Sequence, residues 1–373
     1  MTNTVLWSLA MIVRNEEATL RGVLEDAAKL CDELVVVDTG STDSTVNVAR
    51  DCGARLLSFE WIDDFAAARN FAFEQCRGEW ILWLDADDRI PPSALEEFLR
   101  LKEDLAGRTD VDGIFVPYRR DFSRDDPEVC TFAFDRERVL RRSAGLRWTG
   151  PVHEVIALPF NRFSRWPTAW VEHRPNGDSW VAKKDRNIRI LEKALQAGER
   201  TPRNLFYFGN ELRDHGRFEE ALEAYREYIV VSDLEWEEYT ALLSMAQCAQ
   251  ALERPEQQLE SLLAAVAVDS RRAEAFNRLG AFYYGTKEWQ RAIPFFHAAT
   301  ACPRPTEGFV SDADYGSLPW DYLATCYNEC GQLEKALEYT ITAFRTSTEK
   351  KRLLENIGFY LEAIAAIAGG QGG

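Results

Sequence analysis

The sequence predicts an α/β domain built on a mostly parallel sheet, followed by an all-α repeat solenoid. Three observations carry this prediction. Short apolar runs alternate with helical patterns in the first part of the chain, and the run at residues 80–84 leads without a break into Asp85, Asp87 and Asp88. Beyond Gly198 the strand signal disappears and a short phrase recurs instead.

The elements follow in order. Residues 7–13 are an apolar run that breaks into Arg14, Asn15, Glu16 and Glu17; residues 34–37 are a second, ending in Asp38 and the turn-like TGSTDS; residues 54–59 are a third. Helical patterns separate them at 18–29, 44–52 and 65–76, with Thr42 or Asp43 as N-cap of the second and Gly53 as its stop. This rhythm gives right-handed crossovers, so the strands run parallel and the polar residues at their carboxyl ends converge on one edge. The run at 80–84 reads as a strand buried on both faces. Its three carboxylates repel unless a cation lies among them, which suits Mg²⁺ or Mn²⁺ beside a diphosphate; the bland alternative is a solvated acidic turn with a helix capped at Asp88.

The second half reads as a tetratricopeptide array. The phrase appears around Phe208, Met245, Leu279 and Leu323, at spacings of 37, 34 and 44 residues against the roughly 34 of that repeat. A small residue follows each time (Gly209, Ala246, Gly280, Ala324) and lets paired helices approach closely. The long third spacing implies a loop at 302–319, and residues 353–368 would cap the stack before a frayed GGQGG end. We therefore expect domains at 1–198 and 199–369. Solenoids bind along extended surfaces, so the array is expected to dock a peptide or a second copy of the chain, with simple bracing of the first domain as the alternative.

Bulk properties narrow the class. A net charge of −17 argues against nucleic acid, and an acidic protein that binds an anionic donor needs a metal or individual arginines to compensate. No apolar run reaches the ~20 residues of a membrane span, and no basic segment precedes the first run, so a cytoplasmic protein is expected. The eight cysteines include no CxxC pair and read as reduced thiols.

The ordered set MIVRNEEATL, VVVDTGSTDST, DDFAAARNFAF, WILWLDADD and WTGPVHEVI resembles the family 2 glycosyltransferases of the GT-A (Rossmann-like) fold. The likeness covers residues 5 to about 195 and is greatest to the bacterial branch fused to tetratricopeptide repeats, such as the peptide S-glycosyltransferases of glycocin pathways. The resemblance implies an inverting transferase that moves a hexose or N-acetylhexosamine from a UDP-sugar to a peptide or protein side chain, with Mn²⁺ or Mg²⁺. A glycan or small-molecule acceptor, or a silent repeat scaffold, is the alternative.

By the same resemblance Arg14, Asn15, Glu16 and Asp38 surround the nucleotide base, Arg69 faces the nucleotide, Asp85 touches the ribose, and Asp87 with His173 holds the metal. Glu154 matches the catalytic base, and Trp148 and His153 lie on the acceptor side. The residues themselves leave other readings open. Asp38 also suits a cap for its own turn, Glu16 or Glu17 a helix start, Asp64 with Arg69 a surface pair, Asp88 a helix cap, and His153 competes with His173. The QxxRW motif of processive synthases is missing, which argues against long-chain polymer synthesis.

Overall fold

The computed structural model describes residues 7–122, 126, 128–156, 160–175, 180–232, 234–305, 310–311, 313–347 and 350–370. Residues 306–309 and 312 of the expected repeat insertion, Asn176 and Gly177 after His173, and the terminal 371–373 lie outside that set. The chain divides into two compact units, Met1–Ala197 and Gly198–Gly373.

In the first unit β1 (Trp7–Val13), α1 (Leu20–Ala27), β2 (Glu33–Asp38), α2 (Thr45–Asp51), β3 (Arg55–Ser58), α3 (Phe65–Gln75) and β4 (Trp80–Trp83) follow in that order. The four strands pair in parallel in the spatial order β3-β2-β1-β4. Alternation along β1 sends Trp7, Leu9, Met11 and Val13 into a core with Leu20, Val23 and Leu24 of α1, while Ala10 joins Ala66, Ala72 and Phe73 of α3 on the other face. The alanines of α3 let its backbone lie close to the sheet. α4 (Pro92–Asp104), preceded by the two-residue β5 (Asp88–Arg89), packs Ala94, Phe98 and Leu101 into the first core.

Beyond α4 the sheet becomes mixed. β6 (Gly113–Phe122) forms a long hairpin with β7 (Cys130–Arg141), and β7 inserts antiparallel between β4 and β6. A two-stranded sheet of β8 (Trp148–Thr149) and β9 (Val155–Ile156) stands apart. β10 (Phe163–Arg165) and β11 (Val171–His173) both run parallel to β6, and β11 carries β5 antiparallel on its far side. α5 (Trp180–Gln196) ends the unit.

Two local readings need correction. Ser44, not Thr42 or Asp43, is the N-cap of α2, although Asp43 does accept the backbone N–H of Thr45 at 3.0 Å. Asp88 caps no helix: it begins β5, it is fully buried, and Pro91 occupies the N-cap of α4. Burial of a carboxylate requires partners, and these belong to the site below.

The second unit is all helical: α6 (Pro202–Asp214), α7 (Phe218–Val231), α8 (Glu235–Ala251), α9 (Pro255–Val268), α10 (Ala273–Gly285), α11 (Trp289–Ala301), α12 (Leu318–Glu329), α13 (Leu333–Thr346) and α14 (Lys350–Gly370). Consecutive helices pack in pairs, α6 with α7, α8 with α9, α10 with α11 and α12 with α13, as tetratricopeptide repeats do. A Cβ at Gly209 would sit 2.6 Å from the Tyr225 ring, and one at Gly280 would sit 2.6 Å from Phe296. The small residue of the repeated phrase is therefore a requirement of the helix contact.

All eight cysteines are free thiols. Cys31, Cys76, Cys248 and Cys326 are buried, and burial pushes Cys76 and Cys326 up to about 12 and Cys248 up to about 11. Only a thiolate reacts with a disulfide reagent. Labelling of the native protein at pH 8 is thus expected to stop at the partly exposed Cys52, Cys130, Cys302 and Cys330. Mass spectrometry showing modified Cys76 or Cys326 without denaturant would contradict this packing.

Candidate active site

The carboxyl ends of β1, β2 and β4 deliver three groups to one edge. After β1, Asn15 takes a left-handed backbone (φ 55°), which an asparagine tolerates, and its Oδ1 accepts the N–H of Thr42 at 2.8 Å. Glu16 donates its backbone N–H to Thr45 Oγ1 at 2.7 Å, and its carboxylate accepts from Thr19 Oγ1 at 3.1 Å. Asp38 accepts the backbone N–H groups of Gly40 and Ser41 at 3.1–3.2 Å. The capping reading of Asp38 is therefore realised, and the loops after β1 and β2 are laced into one rim. Arg14 is exposed on that rim.

The centre of the site is Arg69. Asp64 caps α3 by accepting the N–H of Ala67 at 2.9 Å, so it forms no pair with Arg69. Arg69 points inward from α3 with 8% exposure. Its Nη2 donates to Asp85 Oδ1 at 2.6 Å and its Nε to Glu154 Oε1 at 2.5 Å. The guanidinium lies 5.0 Å from the Trp83 ring centre and 5.2 Å from that of Trp148. Burial alone would lower the Arg69 pKa, but Asp85 and Glu154 more than offset it and hold the cation charged. Burial would likewise raise Asp85, yet Arg69 and then Arg138 keep it well below the usual carboxylate range. Both acids thus face the cleft ionised on the Asp85 side and anchored on the Glu154 side.

Glu154 reaches this point because α3 holds its loop. Asn70 exchanges two 2.9 Å hydrogen bonds with the backbone of Trp148, and Phe65 donates its N–H to Pro151 O at 2.8 Å. Gly150 (φ 91°) and His153 (φ 52°) take the left-handed conformations that turn the chain back toward Arg69. Trp148, expected on the acceptor side, is 2% exposed and forms a wall of the Arg69 cage together with Trp83. His153 is partly exposed beside Glu154.

The third group comes from strand pairing. The register of β11 with β5 sets His173 opposite Asp88. His173 Nδ1 lies 3.5 Å from Asp87 Oδ1 and 3.8 Å from Asp88 Oδ1, and it is buried without a hydrogen bond among the described residues. One donor atom from each of Asp87, Asp88 and His173 falls within 4.8 Å of the others. Burial pushes the His173 pKa down, but Asp88 and Asp87 pull it above the ordinary histidine value. An imidazole nitrogen facing carboxylate oxygens is a donor set that fits a divalent cation.

Asp88 is already committed elsewhere. Its Oδ1 accepts from Tyr118 at 2.9 Å, and its Oδ2 accepts the backbone N–H of Asp85 at 2.9 Å and pairs with Arg138 at 3.0 Å. Arg138 is itself fully buried, 3.9 Å over Trp83 and 4.4 Å over Tyr118. Of Asp87 and Asp88, Asp87 comes nearer to His173, while Asp88 and Arg138 fix the turn that carries Asp85 and Asp87. Arg138 and Tyr118 were not foreseen. The arginine-rich strand from Arg136 to Arg142, beside the apolar Val139 and Leu140, was the available signal.

Residues 8–147 match the family model described as glycosyl transferase family 2. The first unit carries a family 2 glycosyltransferase domain. A TPR repeat-containing protein of Synechococcus elongatus is 35% identical over 207 residues, covering 50% of this chain and 46% of its own. The SPbeta prophage-derived glycosyltransferase SunS of Bacillus subtilis is 27% identical over 229 residues, covering 60% of this chain and 53% of its own. This chain spans about half the length of these curated relatives. Among solved structures, a MamA protein aligns with a TM-score of 0.36 and 18% identity over 44% of this chain and 83% of its own. The family 2 domain thus covers the rim, Arg69 and the Asp85–Asp88 turn, while Glu154 and His173 lie beyond the matched residues.

Among the described residues, no helix is long and apolar enough to cross a membrane.

Proposed function

We propose that this protein is a metal-dependent, inverting glycosyltransferase that moves a hexose or N-acetylhexosamine from a UDP-sugar to a side chain of a peptide or protein. The observation that carries the reading is the Asp85–Arg69–Glu154 cluster beside Asp87 and His173, in the unit whose residues 8–147 match the family 2 glycosyltransferases. Asp38 and the rim residues Arg14, Asn15 and Glu16 frame the uridine, and Asp85 meets the ribose.

Glu154 takes the proton of the acceptor hydroxyl or thiol as that atom attacks the anomeric carbon. The bond from that carbon to the phosphate oxygen breaks with inversion, and the nucleoside diphosphate leaves. A Mn²⁺ or Mg²⁺ ion held by Asp87 and His173 would neutralise the charge that develops on the leaving diphosphate. Asp88, paired with Arg138, keeps Asp87 in place. The repeat unit, in this reading, docks the acceptor or a second copy of the chain along its helices.

Calorimetry with UDP tests the donor side. Binding is expected in the presence of Mn²⁺ and to weaken at least about tenfold in EDTA, because the diphosphate keeps its charge while the counter-ion is gone. Equal affinity in EDTA, or tighter binding of GDP, would sink the assignment of Asp87, His173 and Asp38.

A further inference from the structure

An acidic chain that receives a nucleoside diphosphate needs positive charge that is not already neutralised. Most arginines around the cluster are committed: Arg69 to Asp85 and Glu154, Arg138 to Asp88, Arg136 to Glu137 and Arg174 to Glu172. Arg14 and Arg186 have no ion pair with a carboxylate among the described residues.

Arg186 sits on α5, outside the residues that match the family model. Its hydrogen bond among the described residues is a weak one, from Nη2 to Asn187 Oδ1 at 3.4 Å, and its Nε is buried with no partner. The guanidinium lies 4.6 Å over the Phe65 ring. Phe65 precedes Arg69 by one turn on the same face of α3, and its backbone is bonded to the Pro151 loop that leads to Glu154. Arg186 therefore stands one helical turn from the Arg69–Glu154 pair.

Its electrostatic surroundings agree. Burial and then the like charge of Arg14 hold the Arg186 pKa below the ordinary arginine value, while Glu154 and Glu16 act in the other direction without reaching it as ion-pair partners. A guanidinium whose buried Nε lacks a partner is destabilised by its own arrangement. An incoming anion relieves that cost.

The geometry points to Arg186 as a group that receives the donor diphosphate. This rests on the donor reading above and adds a positive group from outside the matched domain. A guanidinium suits the task, since its forked donors match phosphate oxygens in a way an ammonium does not. The aromatic ring beneath Arg186 fixes the plane of that fork in advance.

The test is calorimetry on the full chain in Mn²⁺ buffer with three probes: UDP, uridine and inorganic pyrophosphate. Arg186→Gln is expected to weaken UDP and pyrophosphate by about tenfold or more, the size of one lost charge-assisted contact, and to leave uridine within about twofold. Arg186→Lys should recover part of the loss. Arg186→Met, which keeps an unbranched stem beside Phe65, gives the same selective loss and serves if the glutamine variant does not fold. Unchanged UDP and pyrophosphate affinity in Arg186→Gln and Arg186→Met would overturn the assignment. So would a parallel loss of uridine, which would make Arg186 a wall of the base pocket. Wild-type protein that binds none of the three probes would instead remove the donor reading itself.

Discussion

Glu154→Gln is expected to slow sugar transfer by about 10²–10⁴-fold, the usual worth of a general base, while UDP-sugar affinity stays nearly unchanged. The amide keeps the shape of the side chain, and its oxygen still accepts from Arg69 Nε across the 2.5 Å contact. What it loses is the ability to take a proton. The acceptor atom modifies the outcome. A hydroxyl never ionises in the working range, so the deficit persists at every pH. A thiol, with an ordinary pKa of about 8.5, supplies its own thiolate as the pH rises, and the deficit then shrinks. The pH profile of the variant thus reports the class of acceptor as well as the role of Glu154. Turnover near wild type at pH 6.5 would remove Glu154 from the mechanism and direct attention to His153.

Arg138→Met is expected to cost about 3–5 kcal/mol of stability, because it leaves Asp88 as an uncompensated charge in the interior. The pair is closed off from solvent, with side-chain exposures of 1% and 0%. After the substitution the Tyr118 hydroxyl and the Asp85 N–H would remain as its hydrogen bonds among the described residues, with His173 Nδ1 3.8 Å away. At about 2–4 °C per kcal/mol for a domain of this size, the transition of the first unit should fall by roughly 6–20 °C. Adding Asp88→Asn should return part of the loss, since the amide has no charge to strand. Thermal scans of the two single variants and the double variant measure the coupling. Strictly additive losses would show that the two residues do not act as a pair.

The first four strands and their helices were legible because each is a compact periodic segment bounded by a polar break. Residues 7–13 and 65–76 were read within a residue or so of β1 and α3. The Asp85–Asp88 turn was legible for the same reason, since it ends an uninterrupted apolar run. The roles of the individual acids were not. Asp88 resembled a cap because a helix follows it closely; its burial depends on Arg138, which arrives on a strand 50 residues later. The bland alternative for Arg69, a surface pair with Asp64, fails because the alanine-rich face of α3 turns it inward. The short β5 and β11 carry no periodic signal at all, yet their register sets His173 opposite Asp88. Arg186 was hidden in a helix crowded with other basic residues, where charge alone does not single out one position.

The insertion of β7 between β4 and β6 also sets an order of events during synthesis. The parallel strands β1 to β4 pair among themselves and can form while the rest of the first unit is still emerging from the ribosome. The cluster cannot. Arg69 and Glu154 meet across 85 residues of chain, and His173 must be delivered by a strand that pairs only with β6 and β5. Contacts of such long range form after the loops between them have closed, so they are assembled late. A nascent chain that stops within β4 already has much of its sheet, while the Arg69–Glu154 and Asp87–His173 contacts wait until residue 173 has left the exit tunnel.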